Sequence, residues 1–510
     1  MIFVDRLLNS ITMYRVVLYS LTLLTGIAFL LSFLGYFLQL DWLSLPYSPG
    51  EMLLSLFALT IFVGGSNYLF SWLFKVPRNF ESGAITLLIL FFILAPSTNY
   101  FDLFSVALAG TVAMAAKYLL VIKNKHIFNP AALGLVVIGL IGSSSAVWWV
   151  GSAVLLPFVT ILGLLVVRKV RRFAMFATFF VVSFVSLTMV GLVAGMPLAD
   201  LAIQILASWP IIFFGTIMLT EPLTTPPTRR LQIIYAVIVG LLFASQFHIG
   251  SFYITPEWAL VLGNIFSYLV SPKQRVLLYF KNKTQLAPSI YDLVFVPEEK
   301  IMYQPGQYME WTISPAHADG RGNRRYFTLA SAPTEAEIHL GIKVNPEGSS
   351  FKKDLQNMSA GETIIVSQLA GEFTMPADRN KKLLFIAGGI GITPFRSMIK
   401  YLLDNDQKRD VVLLYACSNE ADFVYQDIFS QAEKALGIKT HCILSEVPSS
   451  AWPGKVGHIN KRMLDELVPD FKERLIYISG PGGMVDAYRK LFKSLGAKKR
   501  QIKTDYFPGF

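Results

Sequence analysis

Long apolar runs fill the first half of this 510-residue chain and stop near residue 275. Runs of about 20 apolar residues recur there, which is the length that a helix needs to cross a bilayer core of roughly 30 Å. Residues 276–510 have instead the charge density and mixed polarity of a soluble protein. The contrast predicts a polytopic α-helical membrane domain at residues 1–275, followed by soluble domains.

We predict ten membrane-spanning helices, and the charges between them fix their orientation. Lys and Arg cluster near the N-terminus and around the connections after the second, fourth, sixth, eighth and tenth spans; the other connections hold none. Because cytoplasmic loops carry the excess of Lys and Arg, we expect both termini in the cytoplasm of a multi-pass inner (plasma) membrane protein. The predicted spans are residues 14–38, 52–74, 82–95, 103–122, 130–142, 147–166, 173–194, 205–219, 231–247 and 257–270.

The residue counts argue against several kinds of protein. The net charge of +11 includes Lys and Arg whose placement follows the membrane topology, so it does not suggest nucleic-acid binding. The two cysteines, Cys417 and Cys442, are too few for a four-cysteine iron–sulfur cluster. Two haems with bis-histidine ligation need four histidines, whereas residues 1–275 contain only His126 and His248. We therefore expect neither an iron–sulfur cluster nor haem, and a haem-type ferric reductase is a disfavoured alternative.

The membrane half shows weak internal similarity at a spacing of 126 residues. Residues 93–98 align with residues 219–224, and residues 129–132 align with residues 255–258. Five predicted helices separate the equivalent motifs, so the two halves would be inverted with respect to the membrane. Broken helices at matching positions of inverted repeats indicate a site near the midplane, although apolar helices that end at proline are also common in membranes. The candidate residues of this site are Pro96, Asn129, Pro130, Thr220, Glu221, Pro222 and Pro256.

The same motifs carry a family resemblance. The segment Lys125–Gly134, with its Phe-Asn-Pro-Ala string, resembles the NqrB/RnfD family, and residues 219–230 are similar to a second turn of that family. These proteins are the membrane flavoprotein subunits of sodium-translocating NADH:quinone reductase and of the Rnf complex. The resemblance covers residues 1–275 and implies inverted five-helix repeats and electron transfer through flavins.

One family feature differs here. Members commonly attach FMN to the threonine of a Ser-Gly-Ala-Thr segment outside the cytoplasm, whereas this chain has Ser82-Gly83-Ala84-Ile85-Thr86 on the predicted cytoplasmic side. We therefore do not expect covalent FMN. Non-covalent riboflavin or FMN in the membrane domain remains open.

The segment Arg324–Pro333 is the most informative functional motif of residues 276–510. It combines arginine, two aromatic rings (Tyr326 and Phe327) and the hydroxyl of Thr328 in a strand-like run. A flavin dinucleotide needs an arginine fork for its pyrophosphate, an aromatic face for its ring and a small donor at N5. The alternating pattern around this segment predicts a FAD-binding β-barrel at residues 276–380.

Two further motifs are suited to phosphate groups. Gly348-Ser349-Ser350 opens a short helix, where backbone N–H groups and hydroxyls can meet an anion. A buried strand then leads through Gly388-Gly389-Ile390-Gly391-Ile392-Thr393-Pro394 into a helix, which is typical of a dinucleotide site. Alternating strands and helices predict a parallel-sheet NAD(P)H-binding α/β domain at residues 381–510.

Together these motifs resemble the ferredoxin–NADP reductase family over residues 283–510. The resemblance implies that Arg325 holds the FAD pyrophosphate, Phe327 packs on the flavin and Thr328 bonds its N5. Phe507, in the aromatic C-terminus, would cover the other flavin face. The remaining implied cofactor residues are Tyr326, Gly348, Ser349, Ser350, Gly388, Gly389, Gly391, Thr393, Pro394, Gly480, Pro481 and Met484. We predict Thr328, Ser479 and Phe507 as the catalytic residues.

Two positions depart from this family's pattern, since Phe327 replaces tyrosine and Ser479 replaces the cysteine of Cys-Gly-Pro. Neither change removes hydride chemistry, which the flavin performs. Residues 417–420 offer no arginine for a 2′-phosphate, which favours NADH slightly over NADPH.

The sequence thus predicts an FAD-dependent, membrane-bound NAD(P)H dehydrogenase. Hydride would pass to FAD in the cytoplasm. Single electrons would then enter the membrane domain toward quinone, or toward an extracytoplasmic acceptor, such as a flavinylated protein, or a partner subunit. The alternative from another class is an ion or solute transporter gated by the reductase domain.

Overall fold

The computed structural model describes residues 8, 11–40, 45–76, 79–122, 125–142, 145–245, 248–249, 252–271, 275–313, 323–344, 348–446 and 452–506. The chain divides into two compact units, Met1–Lys273 and Gln274–Phe510.

The N-terminal unit is mainly helical where it is described. Its helices are α1 (Met13–Leu38), α2 (Pro49–Leu73), α3 (Phe80–Ile93), α4 (Tyr100–Leu119), α5 (Pro130–Ile141), α6 (Leu156–Val170), α7 (Phe173–Val193), α8 (Leu198–Ser208), α9 (Ile211–Phe213), α10 (Arg229–Phe243) and α11 (Pro256–Val270). A π-helical turn, Phe214–Met218, continues α9. Two short hairpins pair β1 (Val121–Ile122) with β2 (Lys125–His126) and β3 (His248–Ile249) with β4 (Phe252–Tyr253).

Local sequence sets where these helices start. Asn79 and Asn99 accept hydrogen bonds from backbone N–H groups at the starts of α3 and α4, and Ser48 forms a capping box with Glu51 at α2. Asn129 caps α5, where Pro130 takes the first helical position. The helices share one apolar core, in which α2 packs on α4, α4 on α5, and α10 on both α7 and α11.

By length and composition, α1, α2, α4 and α7 can each cross a membrane, among the described residues. A fifth span results if α8 and Ile211–Met218, which are bent by 58°, count as one. All ten predicted spans overlap helices, but the remaining helices are shorter.

The predicted span at residues 147–166 is wrong in its first part, because the helix begins only at Leu156. The backbone N–H groups of Val147 and Trp148 instead donate to the carbonyl of Ile93, each at 2.9 Å. These two N–H groups satisfy a backbone carbonyl at the carboxyl end of the short helix α3. Residues 147 and 148 therefore bind the end of α3 and do not form the start of a longer α6.

The first part of the C-terminal unit is an antiparallel sheet in the order β8-β7-β10-β5-β6-β9. Its strands are β5 (Val276–Ala287), β6 (Ile290–Pro297), β7 (Tyr308–Thr312), β8 (Arg324–Thr328), β9 (Ile338–Lys343) and β10 (Thr363–Ala370), with α12 (Ser350–Gln356) after β9. Ala330, just after β8, donates to His339 of β9 at 2.9 Å. This bond links the two ends of the sheet.

The second part is a parallel sheet in the order β14-β13-β12-β11-β15-β16. The strands are β11 (Leu383–Gly388), β12 (Val411–Cys417), β13 (Lys439–Leu444), β14 (Lys455–Val456), β15 (Leu475–Gly480) and β16 (Ile502–Tyr506). The helices are α13 (Thr393–Asp404), α14 (Gln426–Leu436), α15 (Lys461–Leu467) and α16 (Gly482–Ser494). Every residue of β11 is buried, as a central strand covered on both faces requires. This is the fold class predicted for the soluble half.

Candidate functional site

Strand β8 places Arg325 and Phe327 on one face of the antiparallel sheet, because side chains two residues apart share a face. The Arg325 guanidinium lies 5.4 Å from the centre of the Phe351 ring, and Phe327 packs against the same ring at 5.8 Å. Phe351 follows Ser349 and Ser350 directly. The structure therefore brings together the two motifs that the sequence assigns to the flavin pyrophosphate.

Tyr326 is not part of this group. It points to the opposite face of β8, where its hydroxyl donates to Gln368 at 3.0 Å and its ring meets Tyr308 edge-on. Its predicted role in cofactor binding has no support from this placement, since strand alternation separates it from Arg325 and Phe327.

Buried hydroxyls mark the ends of both motifs. Thr328 Oγ1 and Ser349 Oγ are buried and have no hydrogen-bond partner among the described residues. Thr328 is 4% exposed and Ser349 is fully buried. A buried hydroxyl without a partner costs about 1–3 kcal/mol. Ser349 lies two residues before Phe351, the ring on which Arg325 packs, and Thr328 is the last residue of β8. A ligand at these positions would supply the missing partners of the two hydroxyls.

The glycine motif turns sharply at the carboxyl end of β11. Gly389–Ile392 forms a 3₁₀ turn, and α13 follows with Pro394 in its first turn. A Cβ atom on Gly391 would lie 2.5 Å from the carbonyl oxygen of Ser479, so no larger residue fits there. Gly389 has φ +51 and open space around it, as an approaching ligand requires.

The end of β15 lies against this turn. Ala387 pairs with Ser479, and a Cβ on Gly388 would lie 2.3 Å from the sulfur of Met484. Gly480 and Pro481 lead from β15 into α16. Ser479 is fully buried, and its hydroxyl has no partner in the described part of the chain. The predicted dinucleotide residues thus converge at the carboxyl edge of the sheet, where open α/β sheets bind ligands.

Burial also controls ionisation around these sites. It raises the pKa of Cys417, at the end of β12, to about 12, so this thiol stays protonated at neutral pH. Burial raises the pKa of the Glu310 carboxyl as well, and Arg324 at 3.4 Å acts against that shift. The buried Cys417 thiol donates to the backbone carbonyl of Asp422 at 3.5 Å. Phe507, the third predicted catalytic residue, lies outside the described residues.

A second site occupies the N-terminal unit. An open cavity is lined by five of the seven predicted membrane-site residues: Asn129, Pro130, Thr220, Glu221 and Pro222. Asn129 Nδ2 donates to Glu221 Oε2 at 2.8 Å, and the Asn129 backbone N–H donates to Asn264 Oδ1 at 2.8 Å. Pro96 and Pro256 do not line this cavity.

Sequence reasoning missed the cation of this cavity. Lys117 lines it beside Ser82, and its Nζ donates to the Ser82 carbonyl and hydroxyl oxygens at 2.6 and 2.8 Å. The signal was present, because a lysine within an apolar run is a candidate for function by itself.

Comparisons with known proteins agree with the geometry of the C-terminal unit. Residues 385–490 match the family model of the oxidoreductase NAD-binding domain. The chain is 29% identical over 210 residues, 40% of its length, to a glycine betaine monooxygenase reductase subunit of Pseudomonas aeruginosa, and spans 56% of that protein. It is 26% identical over 229 residues, 44% of its length, to a flavohemoprotein of Pseudomonas putida, and spans 57% of that protein.

Among solved structures, the FAD/NAD-binding domain of nitric oxide dioxygenase from Vibrio cholerae is 23% identical, with a TM-score of 0.40. The match covers 46% of this chain and 98% of that domain. The chain thus spans little more than half the length of the curated relatives quoted. Its C-terminal unit carries a ferredoxin–NADP reductase-type domain that binds FAD and NAD(P)H.

Proposed function

We propose that the chain is a membrane-bound NAD(P)H dehydrogenase that passes electrons from its C-terminal unit into its N-terminal unit. The observation that supports the first step is that Arg325 and Phe327 pack on Phe351, next to Ser349 and Ser350. In the other part of the unit, the glycine turn packs against Ser479. When bound, FAD accepts a hydride from NAD(P)H and releases the two electrons one at a time.

Two groups of residues in the C-terminal unit would bind the two cofactors. Arg325 would hold the pyrophosphate through its planar fork, and Ser349 would add a hydroxyl donor. Phe327 offers a ring on the same face, and Thr328 offers a hydroxyl that can donate to the ring edge. The turn at Gly389 and Gly391 would admit the phosphates of NAD(P)H, and Ser479 would face the nicotinamide.

The N-terminal unit would be an NqrB/RnfD-type membrane module with ten spans in two inverted repeats. The helices α5 and α11 support this proposal, because they start at Pro130 and Pro256, at the spacing of the sequence repeat. The two helices also contact each other through Asn129 and Asn264. Both termini would then be cytoplasmic, as the distribution of Lys and Arg indicates.

The cavity of the N-terminal unit would hold the electron acceptor. Its walls are apolar side chains such as Val17, Ile85 and Ile217, and one edge presents Lys117 and Glu221. A planar conjugated ring with carbonyl oxygens fits such a site, since apolar walls cover its faces and a few polar groups bind its edge. Membrane quinone and non-covalent riboflavin or FMN share this chemistry. Electrons would continue to quinone or to an extracytoplasmic acceptor or partner subunit.

Purification of the full chain in detergent tests this function. We expect FAD in the released cofactors, oxidation of NADH with ferricyanide as acceptor, and reduction of a quinone analogue. A second flavin per chain would identify a flavin in the cavity, and quinone in the lipid extract would identify quinone there.

The same preparation separates the alternatives. NADH-dependent solute flux in proteoliposomes, without reduction of any external acceptor, would favour the transporter. A Soret absorbance band would favour a haem-type ferric reductase.

A further inference from the structure

Arg396 joins the two parts of the C-terminal unit. It lies on α13, one helical turn after Thr393, and its side chain is 6% exposed. Its guanidinium NH1 donates to the carbonyl oxygen of Ala330 at 3.1 Å, and NH2 donates to Glu335 Oε1 at 3.0 Å. NH1 also bonds the other oxygen of Glu335. The planar fork of arginine suits this two-pronged contact, which lysine cannot reproduce.

The partners of Arg396 belong to the segment that continues β8. Glu335 Oε2 also accepts a 2.5 Å hydrogen bond from the backbone N–H of Ala332, so the carboxylate is fixed within its own loop. Ser397, next to Arg396, donates to the Ser331 carbonyl at 2.5 Å. Two consecutive residues of α13 therefore bind two consecutive carbonyls of this segment.

This contact is close along the chain to both proposed ligand sites. Ala330 is two residues beyond Thr328, and Arg396 is three residues beyond Thr393. An extended residue spans at most about 3.6 Å, so Thr328 lies at most about 7 Å from Ala330 along the chain. Thr393 lies less than one helical turn, about 5 Å, from Arg396. A Cβ on Gly341 would lie 2.7 Å from Thr393 Cγ2, which shows how closely β9 approaches the start of α13.

Building on the proposed function, we propose that Arg396, fixed by Glu335, is a positioning residue for hydride transfer. It holds the glycine turn at a set distance from Thr328, and thereby holds the nicotinamide ring against the flavin ring. In the transfer, NAD(P)H loses a hydride, which is two electrons and one proton, and becomes NAD(P)⁺ while FAD is reduced. A misplacement of about 1 Å can slow such a step by about 10²-fold.

Arg474 provides a matched control in the same unit. Its side chain is 7% exposed, and its guanidinium bonds Asp410 Oδ1 at 2.7 Å, Asp470 Oδ1 at 2.7 Å and the Leu383 carbonyl at 3.2 Å. These contacts lie at the amino ends of β11, β12 and β15. Arg474 is thus about as buried as Arg396 and is also paired with carboxylates and a backbone carbonyl. It lies at the opposite end of the parallel strands from the glycine turn.

The test compares Arg396→Lys with Arg474→Lys in the full chain, purified in detergent and loaded with FAD. Stopped-flow absorbance gives the rate of flavin reduction per bound FAD, and NADH deuterated at C4 gives its isotope effect. Tetrahydro-NAD, which cannot give a hydride, reports the ring contact through its long-wavelength absorbance. FAD content and thermal unfolding report on the fold.

We expect Arg396→Lys to keep FAD, to lose the long-wavelength band and to slow hydride transfer about 10- to 100-fold with a full isotope effect. Arg474→Lys should lower the unfolding temperature and leave the rate per FAD unchanged. Should Arg396→Lys not retain FAD, the double variant Arg396→Met/Glu335→Gln, which leaves no buried unpaired charge, is measured in its place.

This inference would be overturned if the Arg396 variants kept an unchanged rate of flavin reduction per FAD, or if Arg474→Lys slowed that rate equally. Neither result would contradict the proposed function. If the unsubstituted chain bound FAD but was not reduced by NADH or NADPH, the proposed function itself would fall.

Discussion

Asn129 donates a 2.8 Å hydrogen bond from its side-chain amide to Glu221, 92 residues further along the chain. The bond connects the cap of α5 to the loop that follows the π-helical turn, so two motifs of the proposed repeat meet at one cavity. Lys117 lines the same cavity from α4. An amide, a carboxylate and an amine within apolar walls are costly to keep unless they serve a ligand.

Glu221→Gln should affect the activity that depends on the cavity and leave the activity of the reductase site unchanged. We expect the rate of quinone reduction to fall by about 10- to 100-fold, since a charged hydrogen-bonding group is worth about 1.5–3 kcal/mol. The rate with ferricyanide, taken to accept electrons from FAD, should not change. Glu257→Gln is the control, because Glu257 is also a buried carboxylate but bonds Trp148 Nε1 at 3.3 Å outside the cavity. Equal effects of the two substitutions would contradict the assignment of the cavity.

Arg325→Gln should release FAD. The loss of charge-assisted hydrogen bonds to a pyrophosphate weakens binding by about 10- to 100-fold, and the purified variant should lack flavin absorbance. Arg324→Gln removes the same charge from the neighbouring position of β8, where the side chain pairs with Glu310 at 3.4 Å. That variant should retain FAD; retention of FAD by Arg325→Gln would show that the site is misplaced.

Thr328→Val tests the buried hydroxyl without changing side-chain size. We expect FAD to remain bound and NADH oxidation to slow by about 3- to 10-fold, the value of one hydrogen bond. The protein without FAD should be no less stable, because the hydroxyl finds no partner among the described residues. A lower unfolding temperature of the FAD-free variant, with an unchanged rate of NADH oxidation, would argue for a structural role of the hydroxyl.

Gly391→Ala should displace the glycine turn. The new methyl group would lie 2.5 and 2.6 Å from the backbone of Ser479 and Gly480, which cannot move away as a side chain can. We expect a rise of the KM for NADH by at least about tenfold, with FAD retained. Gly483→Ala is the control, since nothing lies within 4 Å of its Cβ position. An unchanged KM in Gly391→Ala would contradict a nucleotide site at this turn.

The burial of the Cys417 thiol should make the free energy of unfolding depend on pH. Burial raises the pKa of its thiol from the ordinary 9.0 to about 12 in the folded chain. Below pH 9 the thiol is protonated in both states; above it the unfolded chain alone ionises, so folding loses about 1.4 kcal/mol for each pH unit up to about 12. Denaturant unfolding between pH 8 and 11 should show this loss, and Cys417→Ala should show a smaller one. An identical slope in the two proteins would contradict burial of the thiol.

The sequence alone determined the division into an apolar and a soluble half, and the motifs of the C-terminal unit. Apolar run length, strand alternation and glycine turns are local properties, and each acts within a few residues. For that reason Arg325, Phe327, Gly391 and Ser479 could be placed on strands and turns before any contact was known. The opposite orientation of Tyr326 follows from the same alternation, although the motif had grouped it with its neighbours.

Only the tertiary structure decided which distant residues meet. No pattern within α4 indicates that Lys117 reaches Ser82 and shares a cavity with Glu221. Residues 147–150 are apolar enough to extend a helix, yet they bond the open end of α3 instead. The pairing of Arg396 with Glu335 likewise depends on how α13 approaches the segment between β8 and β9. These contacts arise from the packing of helices and strands against one another, and that packing depends on side chains far apart in the chain.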